Sequence, residues 1–556
     1  VDNTAELTTR YVGALADLGL RTAVISPGSR SSPLSLAFVL EPRIEVHVLH
    51  DERSAAFFAL GAAKALGSPT AVVATSGTAA AHYHPAVIEA SHARIPLLVH
   101  TADRPPELRG SGAPQTVDQI KLFGDTVRLF HDLGVPDPPT AASARSVALR
   151  AWSAALDPPP GPVHLNFPFR EPLATPPEPA PPNPALRHVP GYPTLEPEGL
   201  RDLASRLSGR RALIVAGGRQ RPGFAVAAAL LAGEAGLPIL ADIQCRFPSP
   251  ATMSAAPLLA DAGVLERLAP EVVLRIGAIP TSKALWRWME SSDVEQLFVD
   301  DGSWRDPLGS VTTAYRSDPA TTLIDLAGRV DPAPDDWLAS WRTADAAISA
   351  TAASALGSEP FPTEPGAIRA TWESAPVGST VYVGSSMPIR DLDAYAGEPR
   401  GDLDVLANRG ANGIDGLLSA SAGAAIAAGH RVTAIAGDLS VLHDATALAT
   451  IARYEIPVTV VVLNNDGGGI FHFLPQASEV DGERFEQVFG TPHGLSLAEV
   501  SEAFGVPARR VEVERELRDA VRSPGAGPLL IEVHTDRTEN VAVHDRLHAA
   551  MAQALP

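Results

Sequence analysis

Two polar clusters close two apolar runs late in the chain. RVTAIAG ends in Asp438, and PVTVVVL ends in Asn464-Asn465-Asp466 followed by three glycines. A carboxylate, an amide oxygen and the unobstructed carbonyl of Gly467 are hard oxygen donors. Magnesium takes near-octahedral oxygens, commonly one or two carboxylates with phosphate oxygens filling other positions. Glycine lets a phosphate approach backbone N–H groups closely. Either cluster alone reads as ordinary turn punctuation. Together, each after a buried strand, they point to a metal–diphosphate site with Asp438, Asn465 and Gly467 as ligands. Another acid, Glu52, follows the run IEVHVLH and opens a helical stretch, where the helix dipole favours negative charge.

Such groups need a frame that ends several strands at one edge, as parallel sheets do. RTAVISPGS, IEVHVLHDE, PTAVVATSG, IPLLVHTAD and GPVHLNF read as buried strands, with helical stretches such as SAAFFALGAAKALG between them. The proline-rich stretch EPLATPPEPAPPNPALRHVPGYPTLEPE then reads as an extended linker. RALIVAGG, LPILADI, EVVLRIGA and EQLFVDD form a second alternating region, and GSEPFPTEPG marks a weaker break. TVYVGSSMP, LDVLANRG, RVTAIAGDLS, PVTVVVLNND and PLLIEVHTD form a third, whose alternation suggests an ancient duplication of the first. The expected fold class is α/β, with three domains over 1–175, 195–355 and 360–556. Each is a mostly parallel sheet flanked by helices.

Composition narrows the function. The chain has 556 residues, a net charge of −20 and one cysteine, Cys245. An acidic chain argues against a nucleic-acid backbone or an anionic membrane as partner. One cysteine excludes an intramolecular disulfide and fits a reducing cytoplasm, and no signal peptide or membrane-length apolar run is expected. His82, His84, His92 and His100 lack convincing metal spacing and read as structural or solvated. Gly217-Gly218 begins GGRQRPG, which is not a dinucleotide fingerprint, and no P-loop sequence is present.

Gly437-Asp438, with the 24 residues 440–463 before Asn464-Asn465, resembles the signature of thiamine-diphosphate enzymes, although Leu439 stands where glycine is usual. SPGSRSSPLSLAF, HDERSAAFFALG, ADRPPELRGSGAPQTVDQ, SSMPIRD, NRGANGIDG and NNDGGGIF narrow the resemblance. Over residues 25–475 the chain resembles the 2-succinyl-5-enolpyruvyl-6-hydroxy-3-cyclohexene-1-carboxylate synthases of menaquinone biosynthesis. That resemblance implies a thiamine-diphosphate-binding fold in which the first domain holds the pyrimidine and the third holds the diphosphate and Mg2+, with Mn2+ as an alternative ion. It implies that Glu52 hydrogen-bonds the aminopyrimidine and so lets the cofactor remove its own C2 proton. Ser386, Ile414, Gly437, Asp438, Leu439, Ser440, Asn465, Gly467, Ile470 and Phe471 would contact the cofactor, Ile414 or Phe471 wedging its bend.

The reaction implied is decarboxylation of 2-oxoglutarate and addition of the resulting carbanion to isochorismate. Both substrates are dianions, which planar guanidinium groups suit. By the same resemblance Ser29, Arg30, Arg104, Gln115, Lys283, Ser386, Arg390 and Arg409 are the substrate-binding set. A homodimer or homotetramer with sites between chains is implied as well. Another thiamine-dependent 2-oxoacid decarboxylase or acetolactate-type ligase is the alternative, and a non-catalytic sensor of the same fold is a third reading. The arginine and lysine set weighs against the former, because pyruvate has one carboxylate. Glu52, Asp438 and Asn465 weigh against the latter.

Overall fold

The apolar runs become strands of three all-parallel sheets in this computed structural model, which describes residues 3–174, 184–302 and 304–554. The first sheet comprises β1 (Thr22–Ile25), β2 (Glu45–Val48), β3 (Thr70–Ala74), β4 (Leu97–Asp103), β5 (Leu129–Asp132) and β6 (Pro162–Pro168), in the order β2-β1-β3-β4-β6-β5. The second comprises β7 (Ala212–Gly217), β8 (Ile239–Ala241), β9 (Val272–Gly277), β10 (Glu295–Asp300) and β11 (Thr313–Arg316), in the order β11-β10-β9-β7-β8. The third comprises β12 (Thr380–Val383), β13 (Asp404–Ala407), β14 (Val432–Gly437), β15 (Val458–Asn464), β16 (Ala508–Val511) and β17 (Leu529–His534). Its order, β13-β12-β14-β15-β17-β16, repeats that of the first sheet strand for strand. The two sheets thus share one topology, as the suspected duplication requires.

Three strands correct the sequence reading: β5, β11 and β16 were not expected. Each lies at the edge of its sheet, and none is buried along its whole length. An edge strand has one paired side and a partly solvated face, so LFHD, TAYR and ARRV carry no continuous apolar run to read. Residues 184–196 form no helix or strand, as a linker should. The rest of that expected linker includes 175–183, and the expected domain limits reach residues 1, 2, 175, 555 and 556. All of these lie outside the described residues.

The first and third domains share a core. The helix Glu52–Leu66 follows β2, the helix Leu417–Ala428 follows β13, and the two pack against each other. A Cβ on Gly61 would lie 1.9 Å from the Ala420 carbonyl oxygen, and one on Gly423 would lie 1.9 Å from that of Phe58. The contacts are reciprocal, as two related helices crossing about a two-fold would make them. Glycine inside a helix costs about 1 kcal/mol against alanine. Here it lets the helices bury Phe57, Phe58, Leu60, Leu418 and Ala424 in one cluster. The final helix, Arg537–Ala552, instead sends Val543, Leu547 and Met551 into the core of the central domain. No helix among the described residues is long and apolar enough to cross a membrane.

Candidate active site

Strands β14 and β15 are parallel neighbours, and Gly437 pairs with Leu463. Asp438 and Asn465 therefore emerge at the same edge of the third sheet. Asp438 is buried. Its Oδ1 accepts from Leu439 N–H at 2.6 Å, and its Oδ2 accepts from Gly467 N–H at 2.8 Å. Burial raises its carboxyl above the ordinary carboxylate value, and those two amides and His493 draw it back in part. Asn464 is occupied elsewhere: its Nδ2 donates to Leu495 O and Glu532 Oε1. Asn465 donates from Nδ2 to Glu364 Oε1 at 2.7 Å, while its Oδ1 is buried without a hydrogen-bond partner among the described residues. An orphaned buried amide oxygen beside a buried carboxylate is a fit for a hard divalent ion.

Gly467 has φ +136°, and a Cβ there would meet the Gly490 carbonyl oxygen at 1.9 Å. The expected reason for glycine was approach of a phosphate. The immediate reason in the fold is approach of the chain's own 489–495 segment. That segment brings His493, which sequence reading missed, against Asp438 Oδ2 at 3.2 Å. His493 Nδ1 accepts from Leu495 N–H, so Nε2 carries the proton that Asp438 receives. Asp466 holds the segment by accepting from the N–H groups of His493 and Gly494. Nothing in TPHG signals this contact, which spans 55 residues of chain. Glu364 was missed for the same reason. Burial, reinforced by Asp391, pushes its carboxyl up to about 7. Among the described residues no cluster of three or more His, Cys, Asp or Glu could hold a metal. An ion here would rest on one carboxylate, one amide and a backbone carbonyl.

Glu52 is the first residue of its helix, but it is not the cap. Asp51 accepts from the N–H groups of Arg53 and Ser54 and from Thr446 Oγ1, which leaves Glu52 without that duty. The Glu52 side chain, half-buried, makes no hydrogen bond among the described residues. Its charge reaches Tyr83, whose phenol is raised by burial, drawn back by the hydrogen bond its hydroxyl donates to Ser26 after β1, and raised again by Glu52.

The substrate candidates fall into two pairs. Arg30 is buried, donates to Phe169 O, and has its pKa lowered by burial and then by Arg104. The Nε atoms of Arg30 and Arg104 are both buried without hydrogen-bond partners among the described residues. Gln115 lies nearby in sequence, with φ +54° and its side chain on Ser76 O. Ser29 is exposed. In the third domain Arg390 donates to Ser386 O, and burial and then Arg409 lower its pKa. Ser386 itself has φ +70° at the start of the helix Met387–Tyr395, a strained backbone of the kind found at functional sites. Lys283 starts the helix Lys283–Ser291 and is exposed, without a hydrogen bond or ion pair among the described residues. Ile414, Leu439, Ile470 and Phe471 are half-buried, Ser440 is buried, and Phe471 packs on Phe489.

Comparison with known proteins bears on these arrangements. Residues 6–122 match the family described as thiamine pyrophosphate enzyme, N-terminal TPP binding domain, and residues 401–533 match its C-terminal TPP binding domain. The 2-succinyl-5-enolpyruvyl-6-hydroxy-3-cyclohexene-1-carboxylate synthase of Myxococcus xanthus is 42% identical, covering 97% of this chain and 95% of the relative. That of Geobacillus kaustophilus is also 42% identical, covering 98% and 97%. Among solved structures, a putative thiamin diphosphate-dependent enzyme from Mycobacterium smegmatis superposes with TM-score 0.72 at 19% identity, covering 95% of this chain and 99% of that one. Benzoylformate decarboxylase from Polynucleobacter necessarius gives TM-score 0.73 at 18% identity, covering 96% and 98%. At that identity these two speak for the fold alone.

Proposed function

Because the chain belongs to the 2-succinyl-5-enolpyruvyl-6-hydroxy-3-cyclohexene-1-carboxylate synthase family, we propose that its two arginine pairs divide two dianionic substrates between them. The protein is a thiamine-diphosphate-dependent enzyme of menaquinone biosynthesis that decarboxylates and forms a carbon–carbon bond. The substrates are 2-oxoglutarate and isochorismate. The observation that carries the assignment is the pairing of cations at strand ends of two domains: Arg30 and Arg104 leave buried Nε atoms without hydrogen-bond partners among the described residues. Burial and then the paired arginine lower Arg30 and Arg390, opposed only in part by Glu171 and Asp103 at the first and Asp391 at the second. Like charges held together in partly buried loops are costly unless an anion joins them.

Thiamine diphosphate, when bound, supplies the electron sink for decarboxylation and carbon–carbon bond formation. Asp438, Asn465 and Gly467 would hold Mg2+ against its diphosphate. Glu52, unengaged by the helix cap, would hold a proton against the pyrimidine ring. Arg390 and Arg409 bind 2-oxoglutarate, with Ser386 beside them. Arg30 and Arg104 bind isochorismate, with Ser29, Gln115 and Lys283 completing that end. The site lies between chains of a homodimer or homotetramer in the cytoplasm. The test is ultraviolet loss of isochorismate, expected only when 2-oxoglutarate, thiamine diphosphate and magnesium are all present. Preference for pyruvate over 2-oxoglutarate would overturn the substrate reading in favour of an acetolactate-type ligase.

A further inference from the structure

The segment that carries Arg409 is held from another domain. Glu89, in the helix His84–Ala93, is fully buried. Its Oε1 accepts from Gly410 N–H at 3.1 Å, and its Oε2 accepts from Ala411 N–H at 2.8 Å and Asn412 N–H at 3.0 Å. Three successive amides converging on one carboxylate form an anion nest. Lys64, also buried, donates to Glu89 Oε1 at 3.2 Å and to Ala407 O and Asn408 Oδ1, both at 2.7 Å. Two side chains of the first domain thus grip residues 407–412 of the third on both sides of Arg409.

The approach is close. A Cβ on Gly410 would lie 2.7 Å from Ala93 N and 2.9 Å from His92 Cβ, so no side chain fits there. The next turn, which carries Ile414, closes on itself through Asn412 Nδ2 to the Asp415 carbonyl and carboxylate. The Ile414 turn thus has a closure of its own beyond the bond from Asn412 N–H to Glu89. A buried ion pair is a weak source of stability, because desolvation offsets most of its attraction. Its use here is geometric.

We propose that Glu89, with Lys64 as counter-ion, is a positioning residue that sets the Arg409 guanidinium for a carboxylate of 2-oxoglutarate. This rests on the reading of Arg409 as an anchor for that substrate. The test is a double-mutant cycle in the intact enzyme with Glu89→Gln, Arg409→Ala and both. The readouts are KM for each substrate, thiamine diphosphate affinity by calorimetry, and the melting temperature. Glutamine would turn an N–H toward amide donors and leave Lys64 unpaired. Glu89→Gln is expected to raise KM for 2-oxoglutarate about tenfold, the worth of roughly one charge-assisted hydrogen bond. KM for isochorismate and cofactor affinity should stay within about twofold, and the Arg409→Ala background should show no further rise. Gly410→Ala presses on the backbone of residues 89–93 and displaces the same segment while keeping both charges of the ion pair, and should give the same pattern, even if Glu89→Gln fails to fold. Additive effects with an impaired Arg409→Ala, or a parallel shift of both KM values and the melting temperature, overturn the role of Glu89. An unchanged KM in Arg409→Ala alone removes the anchor reading, and this proposal with it.

Discussion

Asn465 gives its amide N–H to Glu364 at 2.7 Å, and that bond fixes the orientation of its other amide atom, Oδ1, which is buried without a hydrogen-bond partner among the described residues. The orientation of a metal ligand is commonly set this way. Replacing such an outer partner typically costs about 10–100-fold in metal affinity. Glu364→Leu should therefore weaken Mg2+ binding by that order, and Asp438→Asn and Asn465→Ala should weaken magnesium-dependent thiamine diphosphate binding with the fold largely intact. Calorimetry showing unchanged affinity in Asp438→Asn and Asn465→Ala would dismiss the metal assignment.

Glu52→Gln should still bind cofactor but exchange the thiamine C2 proton far more slowly. The amide keeps the shape and removes the carboxylate, and Asp51 already caps the helix, so the loss would be chemical. Quenched hydrogen–deuterium exchange read by NMR measures it directly. Wild-type exchange in that variant contradicts the role.

If sites lie between chains, Glu52 and Asp438 of one site come from different subunits. Glu52→Gln and Asp438→Asn, each inactive alone, should regain partial activity when mixed and reassembled. A monomer that keeps full activity at high dilution is incompatible with this arrangement.

Losing a buried arginine partner should cost about 2–5 kcal/mol for the substrate it holds. Arg390→Ala and Arg409→Ala should lose single-turnover decarboxylation of 2-oxoglutarate without isochorismate. Arg30→Ala, Arg104→Ala and Lys283→Ala should keep that half-reaction and fail at carbon–carbon bond formation. Equal loss of the half-reaction in both groups would refute the division.

His544 is buried with Nε2 at 2.8 Å from Asp391. Burial alone would lower its pKa, but the charge and hydrogen bond of Asp391, the Asn540 carbonyl and the Glu364 charge together outweigh that and raise it to about 9. A group raised in the folded state contributes stability fully below its unfolded value, near 6.5, and loses it as pH climbs to about 9. Up to about 3 kcal/mol is at stake across that window. Denaturation midpoints should therefore fall between about pH 6.5 and 9 in the wild type, and this component of the fall should vanish in His544→Gln.

The sequence by itself determined fourteen of the seventeen strands among the described residues and the polar residues at their ends, because most of these are buried along their length, and such a strand must be apolar and stop at a polar turn. Asp438 and Asn465 were legible as a pair for that reason. The edge strands β5, β11 and β16 were not, since half of each faces water and leaves no continuous pattern. Tertiary structure alone decided that Glu364 orients Asn465, that His493 reaches Asp438, and that Glu89 grips the Arg409 loop across 321 residues of chain. It also decided that Gly61 and Gly423 serve a helix crossing rather than a turn. Such contacts depend on which elements the sheet order sets side by side. Local pattern records what each segment must bury, but it carries no record of which distant partner will meet it.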